Sequence, residues 1–310
     1  MASSVSLLPS PRIQSLRSAL SLLKTLPPRV HRECENALHH WLMLALNSLD
    51  DIESTLPKLV QLLITAGLSP AQADKIIQHR SPTDPPPPAQ EDDEQLFLRY
   101  YPRKDIAKDH VHRMFQSYAE VSGGGGMQWG FCSRHFHQLY KFGVRIEGFA
   151  SPFNSRLSRF PDAAFCSLFP DVDRPFGSLG DFFASFTKLS ESPHHLQVNP
   201  PFVELVLDRA AAMCLKLLEL ETTKPRYIFF HGPYWPDAAF YQRLRAARYV
   251  LEVRLEANTF YLETPWPERK TFLSRRDNVY FCLSNQPIPD AVRRLLQDPR
   301  QRPTRRFSSY

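Results

Sequence analysis

The 310-residue chain has no uninterrupted apolar run near the roughly 20 residues that a bilayer-spanning helix requires, so it reads as a soluble protein with no membrane span. Its five cysteines, at 34, 132, 166, 214 and 282, form no C-x-x-C pair. The odd count argues against a disulfide framework and for a reducing compartment. No G-x-G-x-x-G fingerprint follows a predicted strand. The four glycines at 123–126 read as a loop rather than a phosphate cradle. No acid precedes Glu33, whereas Arg12, Arg17, Lys24, Arg29 and Arg32 do. That bias fits an organellar transit peptide over 1–32. It also fits the first amphipathic helix of a helical domain, with Ile13, Leu16, Leu20 and Leu23 on one face. The helical patterns that follow favour the helix.

What is present is a hydrophobic fraction of 43%, enough for a sizeable core in one large domain or two smaller ones. The net charge of +6 is uneven, because residues 241–310 hold 14 Lys/Arg against 7 Asp/Glu. A basic final third fits a polyanionic partner such as RNA or DNA, and equally fits a solvated basic face.

Residues 11–80 read as helices. Cys34, Leu38, Trp41, Leu42 and Ala45 mark one apolar face, and Ile52, Leu56, Leu59, Leu62 and Leu63 another. Ser69 before Pro70 is an N-cap followed by proline at the first helical position. Pro85 to Pro88 and the acids Glu91 to Glu94 then predict a solvated, extended linker over 81–95, or a docking site for a proline-binding module. From about 140 the pattern turns to α/β. Short strands are predicted at 143–146, 196–198, 227–230, 249–253 and 279–283, with helices over 203–220 and 238–247 between them. The alternation predicts a largely parallel, doubly wound sheet whose ligands sit at the carboxyl ends of its strands. The domains expected are a helical domain at 1–80, the linker at 81–95, an α/β domain at 96–290 and a basic tail at 291–310.

The motif that carries chemistry is Asn199-Pro200-Pro201-Phe202, between an apolar stretch and a helix. An adenine N6 amine is a poor nucleophile because its lone pair is delocalised into the ring. The Asn199 side-chain oxygen can accept one N–H and the Pro200 carbonyl the other, directing the lone pair at a methyl donor. The prolines stiffen the turn. Phe202 offers a face on which a flipped or single-stranded base stacks, worth about 1–3 kcal/mol. The rival reading is a helix-starting Pro-Pro turn capped by Asn.

Two further blocks stand upstream. Glu147-Gly148-Phe149-Ala150-Ser151-Pro152-Phe153-Asn154 follows the first α/β strand, where small residues would let backbone approach a cofactor. Phe165-Cys166-Ser167-Leu168-Phe169-Pro170-Asp171-Val172-Asp173 continues to Phe176-Gly177-Ser178, and an acid there could hold a ribose hydroxyl. Taken singly, each also reads as an ordinary turn. Cys132, His135 and His137, with His110 and His112 upstream, lack a common zinc spacing, and no metal is expected.

Together and in this order the three blocks resemble the phosphorylated-CTD-interacting-factor methyltransferases, with similarity over roughly 140–285. The resemblance implies a class I (Rossmann-like) methyltransferase core, with S-adenosylmethionine as methyl donor. The substrate implied is capped mRNA whose first transcribed nucleotide is adenosine, methylated at N6 in the nucleus by a monomer. It puts Asn199, Pro200, Pro201 and Phe202 on the adenine, and Phe149, Ser151, Pro152, Asn154, Asp171 and Asp173 near the cofactor. Pro233 and Trp235 would wall the base pocket, and Arg269, Lys270, Arg275 and Arg276 would meet the RNA. Tyr234 stands where the family has an acid. No paired-tryptophan WW module is recognised in this chain, so a catalytic domain without one is expected, and recruitment to the polymerase tail is open. DNA adenine, cytosine N4 or glutamine N5 methylation shares the Asn-Pro-Pro-aromatic motif, and a non-catalytic RNA-binding module is the rival from another class.

Overall fold

The computed structural model describes Val30, Cys34, Ala37, Leu38 and Trp41, then residues 52–78, 91–101, 105–119, 128–220, 224–267 and 269–300. The predicted helix around 13–23, Leu42 and Ala45, the prolines at 85–88, the glycines at 123–126 and the arginines at 302–306 lie outside these residues. The chain divides into two compact units, Met1–Glu94 with Val111–Gly125, and Gln95–His110 with Gly126–Tyr310.

In the first unit, α1 (Ile52–Thr65) and α2 (Pro70–Gln78) are joined by a turn at Gly67. The turn needs φ of +107°, which glycine adopts without Cβ strain. Ser69 caps α2 as expected, and the cap is reciprocal. The Gln72 N–H donates to Ser69 Oγ at 3.3 Å, and the Ser69 N–H donates to Gln72 Oε1 at 2.9 Å. Leu56, Leu59, Leu63 and Ile76 bury against Cys34, Leu38 and Trp41. A further helix, α3 (Glu91–Tyr100), divided between the two units at Glu94, begins at the acidic run that was expected to end an extended linker. Four acids at a helix start are favourable beside unpaired N–H groups, which a reading of them as mere solvation overlooks. It is followed by α4 (Lys108–Ala119).

The second unit holds a six-stranded sheet in the order β3-β2-β4-β5-β9-β6. Its strands are β2 (Val144–Glu147), β3 (Ala164–Phe165), β4 (His195–Val198), β5 (Tyr227–Pro233), β6 (Tyr249–Leu255) and β9 (Asn278–Ser284). Strands β3, β2, β4 and β5 are parallel. The sheet is nonetheless mixed, because β9 lies antiparallel between β5 and β6. In a small second sheet, β1 (Gly130–Phe131) and β8 (Thr271–Leu273) pair antiparallel with the two edges of β7 (Tyr261–Glu263).

Helix α5 (Ser133–Phe142) precedes β2, a single turn α6 (Pro170–Asp173) follows β3, and α7 (Phe186–Glu191) leads into β4. Then come α8 (Glu204–Leu220), α9 (Ala239–Arg245) and α10 (Asp290–Gln297). Apolar side chains cover both sheet faces. Leu207, Ala211 and Leu217 of α8 pack with Val198, Phe230 and Phe281 on one. Leu139 of α5 with Val292 and Leu296 of α10 pack against Phe229, Tyr280 and Cys282 on the other. Residues 291–300 are therefore not a tail: two fully buried side chains hold α10 to the sheet. Among the described residues no helix is long and apolar enough to cross a membrane.

Candidate active site

The chain runs from β2 outward to β3 and then returns to β4 on the other flank of β2. The order reverses between β2 and β4, and open α/β sheets bind ligands at the carboxyl ends of strands flanking such a reversal. Two predicted segments open there: the loop after Glu147 and the turn after Val198. They are tied together, since the Gly148 N–H donates to the Gln197 carbonyl at 2.7 Å.

The Asn199 turn is built by its helix. The Val203 N–H donates to the Pro201 carbonyl at 2.7 Å and the Leu207 N–H to the Val203 carbonyl at 2.9 Å, so the prolines lead directly into α8. Pro200 is buried, and Phe202 is 40% exposed with its ring edge-on to His231 at 5.7 Å. The Asn199 Nδ2 donates to the Trp129 carbonyl at 3.2 Å. That bond fixes which way the amide faces. Its Oδ1 is buried without a partner, a state that costs about 1–3 kcal/mol and that an incoming N–H donor relieves.

His231, which sequence reasoning treated as a strand boundary, is a residue of β5 and lies beside this turn. It is stacked on Phe131 with centroids 4.2 Å apart and is 2% exposed. Burial pushes its pKa down to about 3, with His135 nearby adding to the effect. Both ends of the Asn278 amide are satisfied only with its nitrogen toward the Arg276 and Asp277 carbonyls, and that assignment puts its oxygen on His231 Nε2 at 2.6 Å. The ring is thus neutral and protonated on Nε2, and its buried Nδ1 is an acceptor without a partner.

The loop after β2 is held from within. Glu147, buried and raised in pKa by that burial, accepts from Ser155 Oγ at 2.6 Å and from the Leu157 N–H at 2.7 Å. Ser151 Oγ donates to Gln128 Oε1 at 2.7 Å, and the Ser151 N–H donates to Asn154 Oδ1 at 2.6 Å. Ser151 and Pro152 are buried, so these side chains shape the turn, while Phe149 and Asn154 keep part of their surface open. Gly148 is small for a reason other than cofactor approach. A Cβ there would stand 2.9 Å from the Phe182 ring and 3.2 Å from Val198. Of the two acids after β3, Asp171 is exposed and Asp173 fully enclosed. Asp181, which motif reading passed over, is half-buried and raised in pKa by desolvation, and its carboxylate accepts the Ala184 N–H at 2.9 Å.

Pro233 ends β5 in a buried position and Trp235 stands 41% exposed just beyond it, at the same edge of the sheet as Asn199. Trp129, equally exposed and in edge contact with Phe272 at 4.7 Å, was not singled out by the sequence. The basic residues divide. Lys270, Arg275 and Arg276 are exposed in the turns bounding β8, whereas Arg269 is half-buried. Desolvation lowers the Arg269 pKa to about 10, helped by Arg156 and Arg159.

Two of the histidines weighed as metal ligands, His135 and His112, are engaged by side chains. His135 meets Asp298 at 3.2 Å and Tyr280 at 2.9 Å, and burial with a neighbouring Glu263 pushes the Cys132 thiol up to about 12. His112 pairs with Glu94 at 2.7 Å.

A mixed sheet with helices on both faces and an Asn-Pro-Pro-Phe turn at a parallel strand end make this an α/β protein, an architecture consistent with a methyltransferase-like fold. The family model described as "Phosphorylated CTD interacting factor 1 WW domain" matches residues 98–262, and the chain belongs to that family. The expectation of a catalytic domain lacking the family's WW domain is thereby corrected, since the matching model is the one so described.

A Mus musculus protein named "mRNA (2'-O-methyladenosine-N(6)-)-methyltransferase" is 33% identical over 159 residues, 50% of this chain and 21% of its own length. A Homo sapiens protein of the same name is 32% identical over 159 residues, with the same coverage of 50% and 21%. The chain therefore spans about a fifth of the length of these curated relatives.

Proposed function

We propose that this chain transfers a methyl group from S-adenosylmethionine to the N6 amine of an adenosine in RNA, with the first transcribed adenosine of capped mRNA as substrate. The observation that carries the reading is the unpartnered, buried Oδ1 of Asn199, held at the switch point of the sheet. An amine N–H satisfies it, whereas a carbonyl or ether oxygen does not. The names of the mouse and human relatives point to the same chemistry.

The residues fit the donor. The loop bearing Phe149, Ser151, Pro152 and Asn154 lies across the strand-end gap from Asn199, and Asp171 stands solvent-facing after β3. Phe149 and Asn154 would hold S-adenosylmethionine, with Ser151, Pro152 and the enclosed Asp173 shaping the loops around it. When bound, the donor supplies an electrophilic methyl group. Asn199 then orients the amine, and Phe202 and Trp235 flank the base. Most of the rate gain comes from that positioning and from dipoles already fixed before the substrate arrives. The reading takes the sheet as a class I methyltransferase core, which the four parallel strands support. It also takes the RNA and the phosphorylated polymerase tail as partners, a monomer as the working form and the nucleus as the compartment.

The test is mass spectrometry of capped and uncapped RNAs that begin with adenosine, after incubation with the protein and S-adenosylmethionine. A gain of one methyl on the first adenosine of the capped RNA is expected. No gain on any adenosine substrate would overturn the reading.

A further inference from the structure

Asn199 and His231 stand side by side. The last registered pair of β4 and β5 is Val198 with Phe230, on strands about 4.8 Å apart, and Asn199 and His231 are the residues that directly follow it. In a parallel pair, abreast residues share a face. Val198 and Phe230 both join the core on one side of the sheet, which sends Asn199 and His231 together to the other. Contacts agree: Asn199 bonds the Trp129 carbonyl, and Phe131, two residues on, stacks on His231. Each residue carries one buried acceptor without a partner, Oδ1 and Nδ1, and Phe202 of the Asn199 turn meets the His231 ring edge-on.

Two adjacent unpaired acceptors match the two hydrogens of one exocyclic amine. We propose that His231 is a binding and specificity-determining residue for the target base. Its Nδ1 takes the second N–H of the amine, in place of the Pro200 carbonyl, once Phe202 moves from the imidazole edge onto the base. This rests on the reading that the Asn199 turn binds an adenine. The Nε2–Asn278 bond is what leaves Nδ1 unprotonated, so Asn278 acts through His231 as a positioning residue. Burial keeps the ring neutral across the physiological range, and a neutral ring with this tautomer offers an acceptor and no donor at that edge. A 6-oxo base would set its own lone pairs against both acceptors, so the arrangement selects amino-bearing bases.

The experiment measures binding, in the presence of S-adenosylhomocysteine, of a capped RNA beginning with adenosine and of the same RNA beginning with purine riboside, which lacks the amine. Sites that hydrogen-bond a substrate N–H discriminate against analogues without it. Wild type should prefer the adenosine RNA. His231→Asn keeps an oxygen near the place of Nδ1 and should keep most of the preference. His231→Gln reaches Asn278 but vacates the Nδ1 position, and should lose about three- to tenfold of the preference. His231→Phe, which preserves the stack on Phe131, should lose as much. Retained S-adenosylhomocysteine affinity reports a folded site, and if the Phe variant does not fold the Gln variant decides. Equal preference in wild type, His231→Asn and His231→Gln would overturn the proposal, as would a wild type indifferent to the amine. A wild type that prefers adenosine but never methylates it would defeat the methyltransferase reading and leave His231 where it is placed here.

Discussion

Asn199 is the residue whose candidate role was open to sequence reasoning, because an Asn-Pro-Pro-aromatic run between an apolar stretch and a helix can present a fixed amide oxygen to an amine. Its amide nitrogen is spent on the Trp129 carbonyl at 3.2 Å, which aims its oxygen, and neither fact is local. Seventy positions separate the two residues, and no periodicity or spacing links them. The same holds for His231, whose partner Asn278 is 47 positions away, and for Gln128, which secures Ser151 from 23 away. Sequence reasoning therefore named Asn199 and Ser151 as candidates and missed the residues that orient them. Asn199→Ala is expected to lower kcat more than tenfold, a loss above about 1.4 kcal/mol in transition-state stabilisation. Calorimetric S-adenosylmethionine binding should change little, since in the proposed reading the side chain meets the amine rather than the donor. A variant retaining more than about a tenth of wild-type turnover would remove Asn199 from the chemistry.

Elements were legible where a stretch of chain carries its own period. Helix α8 shows apolar residues at helical spacing over 17 residues and was expected within one residue of its observed start. Strands β4 and β5 are short apolar runs bounded by turn residues, although β5 continues through His231 to Pro233 because β9 pairs with it that far. Partnership between elements was not legible. Strand β9 reads like any buried apolar strand, and nothing in it states that it will run antiparallel between two others. Helix α10 was taken for the start of a tail because arginine and proline dominate its neighbourhood, yet Val292 and Leu296 are fully buried. Leu296→Ala should destabilise the protein by about 2–5 kcal/mol, as truncation of a buried leucine does. Urea unfolding would measure it. A change under half a kilocalorie would return 291–300 to the status of a tail.

At the scale of the whole molecule, charge is the property that composition predicts best and geometry refines. Arg275 and Arg276 are exposed in the turn before β9, while Arg269 is drawn inward beside Arg156 and Arg159. If the exposed pair tracks phosphates, changing both to Ala should reduce the log–log salt slope of RNA binding by about 0.7 per lost contact. Titration at several salt concentrations measures the slope, and an unchanged value assigns the pair to a solvated face. Acid sensitivity is a second molecular property. His231 and His195 have pKa values held down, to about 3 and about 4, by burial, while the unfolded chain titrates near 6.5. Above 6.5 both states are neutral and these groups contribute nothing. As pH falls below it the unfolded state gains protons that the folded state refuses. Stability should then decline by up to about 1.4 kcal/mol per pH unit for the buried His231 ring. Urea midpoints at pH 7 and pH 5 should differ less for His231→Phe than for wild type, and an equal difference would refute the account. Strand β9 adds a constraint on assembly. It is made after both of its neighbours, β5 and β6, and bonds along the whole of each. On the ribosome those two strands emerge with facing edges open, and they cannot pair with each other without occupying the slot of a strand still to come. A nascent chain of this protein must therefore hold an unfinished gap between β5 and β6, where waiting edges attract other strands, until residues 278–284 arrive to fill it.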